Sequence, residues 1–215
     1  MIAAADPFLR QVAAENHFDI DITNDPAVLT DANLARYRLV VALQEAPFDI
    51  PPANQAALQR FIESGHGWIG THAAGLTGRQ FLRPGMPYWQ WFEDFLGGVT
   101  YSPHPRYQRG TLIIEDPTHP VTRGLPQRFQ ISDEWYEFDR SPRSNRDNVH
   151  VLAIADESSY HQNKPLGDHP LIWSNPRYAH TIYIAIGHDP SLIADPNYQR
   201  LLRNAIRWAG SSGSD

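Results

Sequence analysis

The stretch Gly67-Trp68-Ile69-Gly70-Thr71-His72 decides the fold. It reads as a strand that delivers its last residues into a turn of small residues, Ala73-Ala74-Gly75. Working back from it, Pro51-Pro52 sets a helix N-terminus, Leu58, Phe61 and Ile62 fall on one helical face, and Gly65 stops the helix. Before that helix, Leu39-Val40-Val41-Ala42-Leu43 is apolar enough for a sheet strand covered on both faces. Earlier still come a short helical segment from Asp31 to about Tyr37, the alternating run Phe18-Asp19-Ile20-Asp21-Ile22-Thr23, and a helix opened by Asp6-Pro7 and running to about Asn16. On the other side, from Arg83 to Pro170, prolines and the aromatic run Tyr88-Trp89-Gln90-Trp91-Phe92 break the pattern. Strand-like runs there fall at Thr111–Glu115, Glu134–Phe138 and Val149–Ala155. Alternation returns at Leu171-Ile172-Trp173 and Thr181–Ile186, and a helix from about Asn197 to Trp208 closes the chain. This order predicts an α/β fold, a doubly wound parallel sheet with helices on both faces and an inserted strand and loop region.

The 215 residues, 41% hydrophobic and 20% charged, are globular in composition and suffice for one domain over residues 1–209, with 210–215 as a flexible tail. A formal net charge of -6 gives no electrostatic basis for a nucleic-acid or anionic-membrane partner. The absence of cysteine excludes disulfides, thiolate metal sites and a cysteine nucleophile. The first residues lack a basic flank and no run of about 18 apolar residues exists, so the expected location is cytoplasmic. Gly65-His66-Gly67-Trp68-Ile69-Gly70 spells G-x-G-x-x-G, but its glycines precede and occupy a strand, so a nucleotide fingerprint is rejected.

In an open parallel sheet the loops beyond the strands' C-terminal ends line the ligand crevice. His72 and His188 follow two such strands, each near a glycine, Gly70 and Gly187, that lets the backbone turn sharply. Asp133-Glu134-Trp135-Tyr136 sets two carboxylates beside two large aromatics, an arrangement that raises a carboxyl pKa and suits acid/base work. His104, in Ser102-Pro103-His104-Pro105, joins His72 and His188 as a nitrogen donor beside Glu134, so a divalent metal such as zinc is the one cofactor this set admits. Each residue has a plainer reading: a histidine after a strand is often a hydrogen-bonded turn residue, Asp133 can cap a turn, and tryptophans mostly pack cores.

Taken in order, Gly67 to Ala74, Phe95-Leu96-Gly97-Gly98 with His104-Pro105, Asp116 to Pro126, Asp133 to Tyr136, and Ile186-Gly187-His188 resemble the ThuA-like, trehalose-utilisation family over about residues 18–209. The resemblance implies a flavodoxin-like sheet of the class I glutamine amidotransferase type and a part in the catabolism of trehalose and related disaccharides, including their 3-keto derivatives. Amidotransferases of that type carry a cysteine at the turn where this chain has His72, and a histidine where it has His188, so glutamine hydrolysis through a thiol is ruled out. Members of the family usually begin with an apolar strand and a histidine-bearing loop, whereas this chain begins at its first helix. In flavodoxin order the missing strand would lie between Phe18–Thr23 and Leu39–Leu43, and the expectation is that upstream sequence, another segment or another chain fills the gap.

The resulting expectation is an enzyme for a disaccharide or oxidised sugar, a hydrolase, lyase or isomerase. His72 and His188 would be base and acid, Glu134 the carboxylate partner, and Asp133 the orienting group. Trp135 and Tyr136, with His104, would contact the sugar. The alternative is a carbohydrate-binding or interaction module with a degenerate site, and a third reading is metal-dependent hydrolysis. The partner is a small-molecule carbohydrate, and self-association into a homo-oligomer is compatible with the sequence.

Overall fold

A computed structural model describes residues 2–145, 147 and 149–211. Its elements are helix α1 (Ile2–Asn16), α2 (Asp31–Leu34), strand β1 (Leu39–Leu43), α3 (Pro52–Glu63), β2 (Gly67–Thr71), α4 (Gln90–Phe95) and β3 (Tyr101–Ser102). They continue with β4 (Gln108–Ile114), β5 (Arg128–Asp133), β6 (Glu137–Phe138), β7 (His150–Asp156), β8 (Pro170–Ser174), β9 (Thr181–Ile184) and α5 (Pro196–Gly210). Seven strands form one sheet in the order β1-β2-β9-β8-β7-β4-β5, and β3 pairs with β6 in a small second sheet. β1, β2 and β9 run parallel, while every pairing from β9 onward to β5 is antiparallel. The doubly wound parallel part is thus three strands wide, and the region expected as an insertion supplies β4, β5 and β7 to the same sheet.

The opening stretch explains how that parallel part is covered. Side chains alternate across a strand, so Gly67 and Trp68 face opposite ways. A Cβ at Gly67 would run into the Ala209 carbonyl of α5, and its absence lets that helix lie close over β1, β2 and β9. On the other face Trp68 meets Phe92 and Phe95 of α4 edge-on, with ring centroids 5.7 and 5.3 Å apart, and Gly70 leaves room for the indole. Every residue of β2, β8 and β9 is buried, as expected of strands covered on both faces.

Several sequence expectations are corrected. Phe18–Thr23 forms no strand: its period-two pattern is met by Ile20 and Ile22 resting against the core from an irregular segment. No strand precedes β1 among the described residues, and β1 pairs only with β2, which leaves it as a partly exposed edge and leaves no hole in the middle of the sheet. Helix α1 opens at Ile2 with Pro7 inside it, and α2 stops at Leu34. The strand expected at Glu134–Phe138 is reduced to β6, while β5 just before it was not anticipated. Of the tail expected at 210–215, Gly210 ends α5 and Ser211 caps it, and 212–215 lie outside the described residues. No helix among the described residues is long and apolar enough to cross a membrane.

The sheet curls. Three strands separate β9 from β5 in the sheet order, yet Asp133, the last residue of β5, accepts a hydrogen bond from the Gly187 amide, just beyond β9, at 2.5 Å. That curl brings the end of the antiparallel edge back over the C-terminal rim of the parallel strands.

Candidate functional site

At the rim, β2 ends in His72, whose φ of 48° lies in the left-handed region that non-glycine residues rarely adopt. Such strain persists only where surrounding contacts over-determine it. Here the Tyr183 hydroxyl donates to the His72 carbonyl at 2.8 Å, and His72 Nδ1 donates to the Ala185 carbonyl at 3.1 Å. The imidazole is thereby fixed between β2 and the segment that follows β9, with Nε2 directed outward to Glu134 Oε2 at 3.3 Å.

Glu134 is the meeting point. Its Oε2 lies 3.3 Å from His72 Nε2, 3.3 Å from His104 Nε2 and 3.0 Å from His188 Nδ1. Three histidines from three separate loops therefore converge on one carboxylate oxygen. They differ in access: the His72 side chain is 3% exposed, that of His104 21% and that of His188 46%. Burial, reinforced by the neighbouring His188 and His104, pushes the His72 pKa down to about 3, although its bond to Ala185 acts the other way. The neutral ring, with its proton on Nδ1, presents a bare Nε2 to the carboxylate.

Asp133 sits beneath this group, fully buried, and accepts from the amides of Gly187, His188 (3.1 Å) and Glu134 (2.9 Å). Burial raises its pKa to about 7 against the pull of those three amides. Asp133, expected as the orienting group, ties the His188 turn to the backbone that carries Glu134. Gly187 has a φ of 138°, and a Cβ there would stand 2.6 Å from the Tyr198 hydroxyl, so the turn before His188 requires glycine.

The aromatic expectations divide. Trp135 is fully buried, donates its indole N–H to the Gln108 carbonyl at 3.0 Å and stacks on Tyr160, so it is a core residue and offers no wall to a ligand. An aromatic in an irregular connector can face either way, and sequence does not say which. Tyr136 is also buried, but its ring underlies His72, with centroids 3.9 Å apart, and stacks on His104 at 5.3 Å. It supports the imidazoles. The ring beside this group that keeps partial exposure is Tyr101, edge-on to Tyr136 at 5.1 Å.

Gln44 escaped the sequence reading. It follows β1 with a φ of 61°, and its side-chain amide donates to the Gly187 carbonyl and to the His188 carbonyl at 2.7 Å. Its position just past a parallel strand was the available signal, but attention to titratable groups passed over a neutral amide. A separate apolar cavity of about 30 Å³ is lined by Phe48, Leu76, Phe81, Tyr88, Trp89 and Phe92 among others, and neither Glu134 nor any of the three histidines enters its wall.

As donors, His72, Glu134 and His188 offer one ligand atom each, all within 4.8 Å of one another. The set can hold a cation, or it can take up and deliver protons at a bound hydroxyl or carbonyl group.

Comparison with known proteins fixes the family. The family model for ThuA, described as trehalose utilisation, matches residues 1–209. The chain belongs to that family. A putative ThuA-like protein from Bacteroides uniformis superposes with a TM-score of 0.84 at 31% identity, covering 95% of this chain and 82% of that one. A second putative ThuA-like protein, from Parabacteroides merdae, gives a TM-score of 0.68 at 18% identity, covering 99% and 87%. A glutamine amidotransferase from Thermotoga maritima shares the fold at a TM-score of 0.55 and 12% identity, covering 95% and 92%. The ThuA chain is therefore an α/β protein of the flavodoxin-like, glutamine amidotransferase-like class. No curated protein matches it in sequence.

Proposed function

We propose that this ThuA chain converts a carbohydrate of the trehalose class, a disaccharide or its 3-keto derivative, by proton transfer in the pocket around Glu134. The observation that carries the reading is the convergence of three imidazole nitrogens on Glu134 Oε2 at the rim of a parallel sheet. Sugar chemistry needs one group to take a proton from a hydroxyl or from the carbon beside a keto group, and another to return it to a leaving or carbonyl oxygen. His188, the most exposed of the three, is the group placed to exchange a proton with a substrate, Glu134 is its carboxylate partner, and His72, expected as the base, is a buried neutral ring better placed to orient Glu134. Asp133 and Gln44 fix the loop that carries His188.

Trp135 and Tyr136 are buried and do not form the stacking wall expected of them, and binding of the panel below without conversion would favour a module that only binds sugar. The test is turnover of a panel holding trehalose, its 3-keto form and simple glucosides. His188→Ala is expected to lower conversion by about 100-fold or more, in the usual range for a lost general acid or base. The melting temperature should barely change, since the ring is exposed. Unchanged conversion of an identified substrate would remove His188 from the chemistry.

A further inference from the structure

The rim histidines leave a densely lined position beside Glu134. His72 Nδ1 faces the Ala185 carbonyl at 3.1 Å and His104 Nδ1 faces the Pro105 carbonyl at 2.7 Å. A carbonyl only accepts, so both rings carry a proton on Nδ1, which leaves Nε2 of each turned toward Glu134 Oε2. His188 brings a third nitrogen to the same atom, and a carboxylate oxygen has only about two lone-pair sites with which to accept. Three ring nitrogens and a carboxylate oxygen thus crowd one small volume.

We propose that this volume is a divalent-cation site ligated by His72 Nε2, Glu134 Oε2 and His188 Nδ1, whose donor atoms lie within 4.8 Å of one another, with the fourth position left to an incoming ligand. Zinc bonds of about 2.0–2.1 Å at tetrahedral angles set neighbouring ligand atoms roughly 3.3 Å apart. The three nitrogens stand 3.3, 3.3 and 3.0 Å from Oε2. Donation of the second ring nitrogen to a backbone carbonyl, seen at His72, is the usual means of orienting a ligating imidazole. Two imidazoles and one carboxylate suit zinc or another late divalent ion, and suit magnesium or calcium poorly, because those ions take oxygen donors. Exposure of His188 leaves a side open to an incoming oxygen ligand.

The site stands on geometry alone and rests on the carbohydrate reading only for the identity of that incoming ligand, a hydroxyl or keto oxygen of the sugar. With an ion in place, His72 and His188 would serve as its ligands instead of taking the proton-transfer roles proposed above, and the ion would supply the positive charge for a sugar oxygen.

The test is calorimetric titration of chelator-treated full-length protein with zinc, alongside the visible spectrum of the cobalt-loaded form, for the unaltered chain, His188→Ala and Glu134→Gln. The expected result is stoichiometric zinc, a four-coordinate cobalt spectrum, and affinity lower by on the order of 100-fold in both variants. His188→Ala keeps the test valid if Glu134→Gln fails to fold. No stoichiometric binding overturns the site. So does binding of equal strength in the variants, which would assign the ion elsewhere, for instance to His119 and His150. Sugar conversion is assayed separately: tight zinc with no conversion of the panel leaves the ion site standing and sinks the carbohydrate reading, and full conversion by protein that binds no zinc does the opposite.

Discussion

Gly187 shows how one residue without a side chain holds the pocket in register. Its amide donates to buried Asp133, its carbonyl accepts from Gln44, and its φ of 138° is a conformation other residues avoid. A methyl group there would press on the Tyr198 hydroxyl and, at 3.3 Å, on the Thr71 side chain. Gly187→Ala is therefore expected to cost about 1–3 kcal/mol in backbone strain alone. In a chain of this size that amounts to a drop of several degrees in melting temperature. It should also lower turnover by displacing His188. Thermal melting read by circular dichroism checks the first part, and a melting temperature equal to that of the unaltered chain would show that the turn relaxes freely. The side chains that meet at Glu134 were legible in the sequence because they are titratable, and His72 and His188 stand just past apolar runs. Gln44 was not, because a neutral amide announces nothing until its partners are in view.

At the scale of elements, α5 is clamped to the loop between β4 and β5. Asn204 donates to the Val121 and Arg123 carbonyls at 3.1 and 3.0 Å, and the His119 ring lies edge-on to Trp208 at 4.8 Å. His119 Nδ1 accepts from the Val121 amide at 3.2 Å, so this joint is made with the neutral ring. Burial, then the charge of neighbouring His150, lowers the His119 pKa to about 4, with Asp116 opposing. A histidine depressed in the folded state favours folding at pH above its ordinary value, roughly 6.5, and that contribution is lost as pH falls from there through about 4. The melting temperature should accordingly decline between those two values, and more gently in His119→Gln. Identical slopes for the two proteins would exclude this joint as a source of acid sensitivity. The strands misjudged from sequence have related explanations. Phe18 to Thr23 alternates because two isoleucines touch the core, and pairing is not needed for that. In β5, Phe129 and Ile131 point inward, but a run of two apolar positions among polar ones is too short to stand out.

For the molecule as a whole, the parallel unit of β1, α3 and β2 was readable because each piece carries its own local signal: an apolar run, a proline-opened helix, a glycine stop. The antiparallel half was not, because its strands depend on partners far away in the chain, and strand order leaves no imprint on local periodicity. The same holds for the closure of the sheet, which is set by contacts such as that between residues 133 and 187.

That closure ties the end of β5 back to the turn after β9 across the three strands between them, so the pocket exists only after those strands are in place. Amide hydrogen exchange at Gly187 and His188 should then be slowed nearly as much as in the central strands, because exposing either N–H requires opening a global unit. Rapid exchange at those two amides, with protected strands around them, would mean instead that the rim breathes by itself.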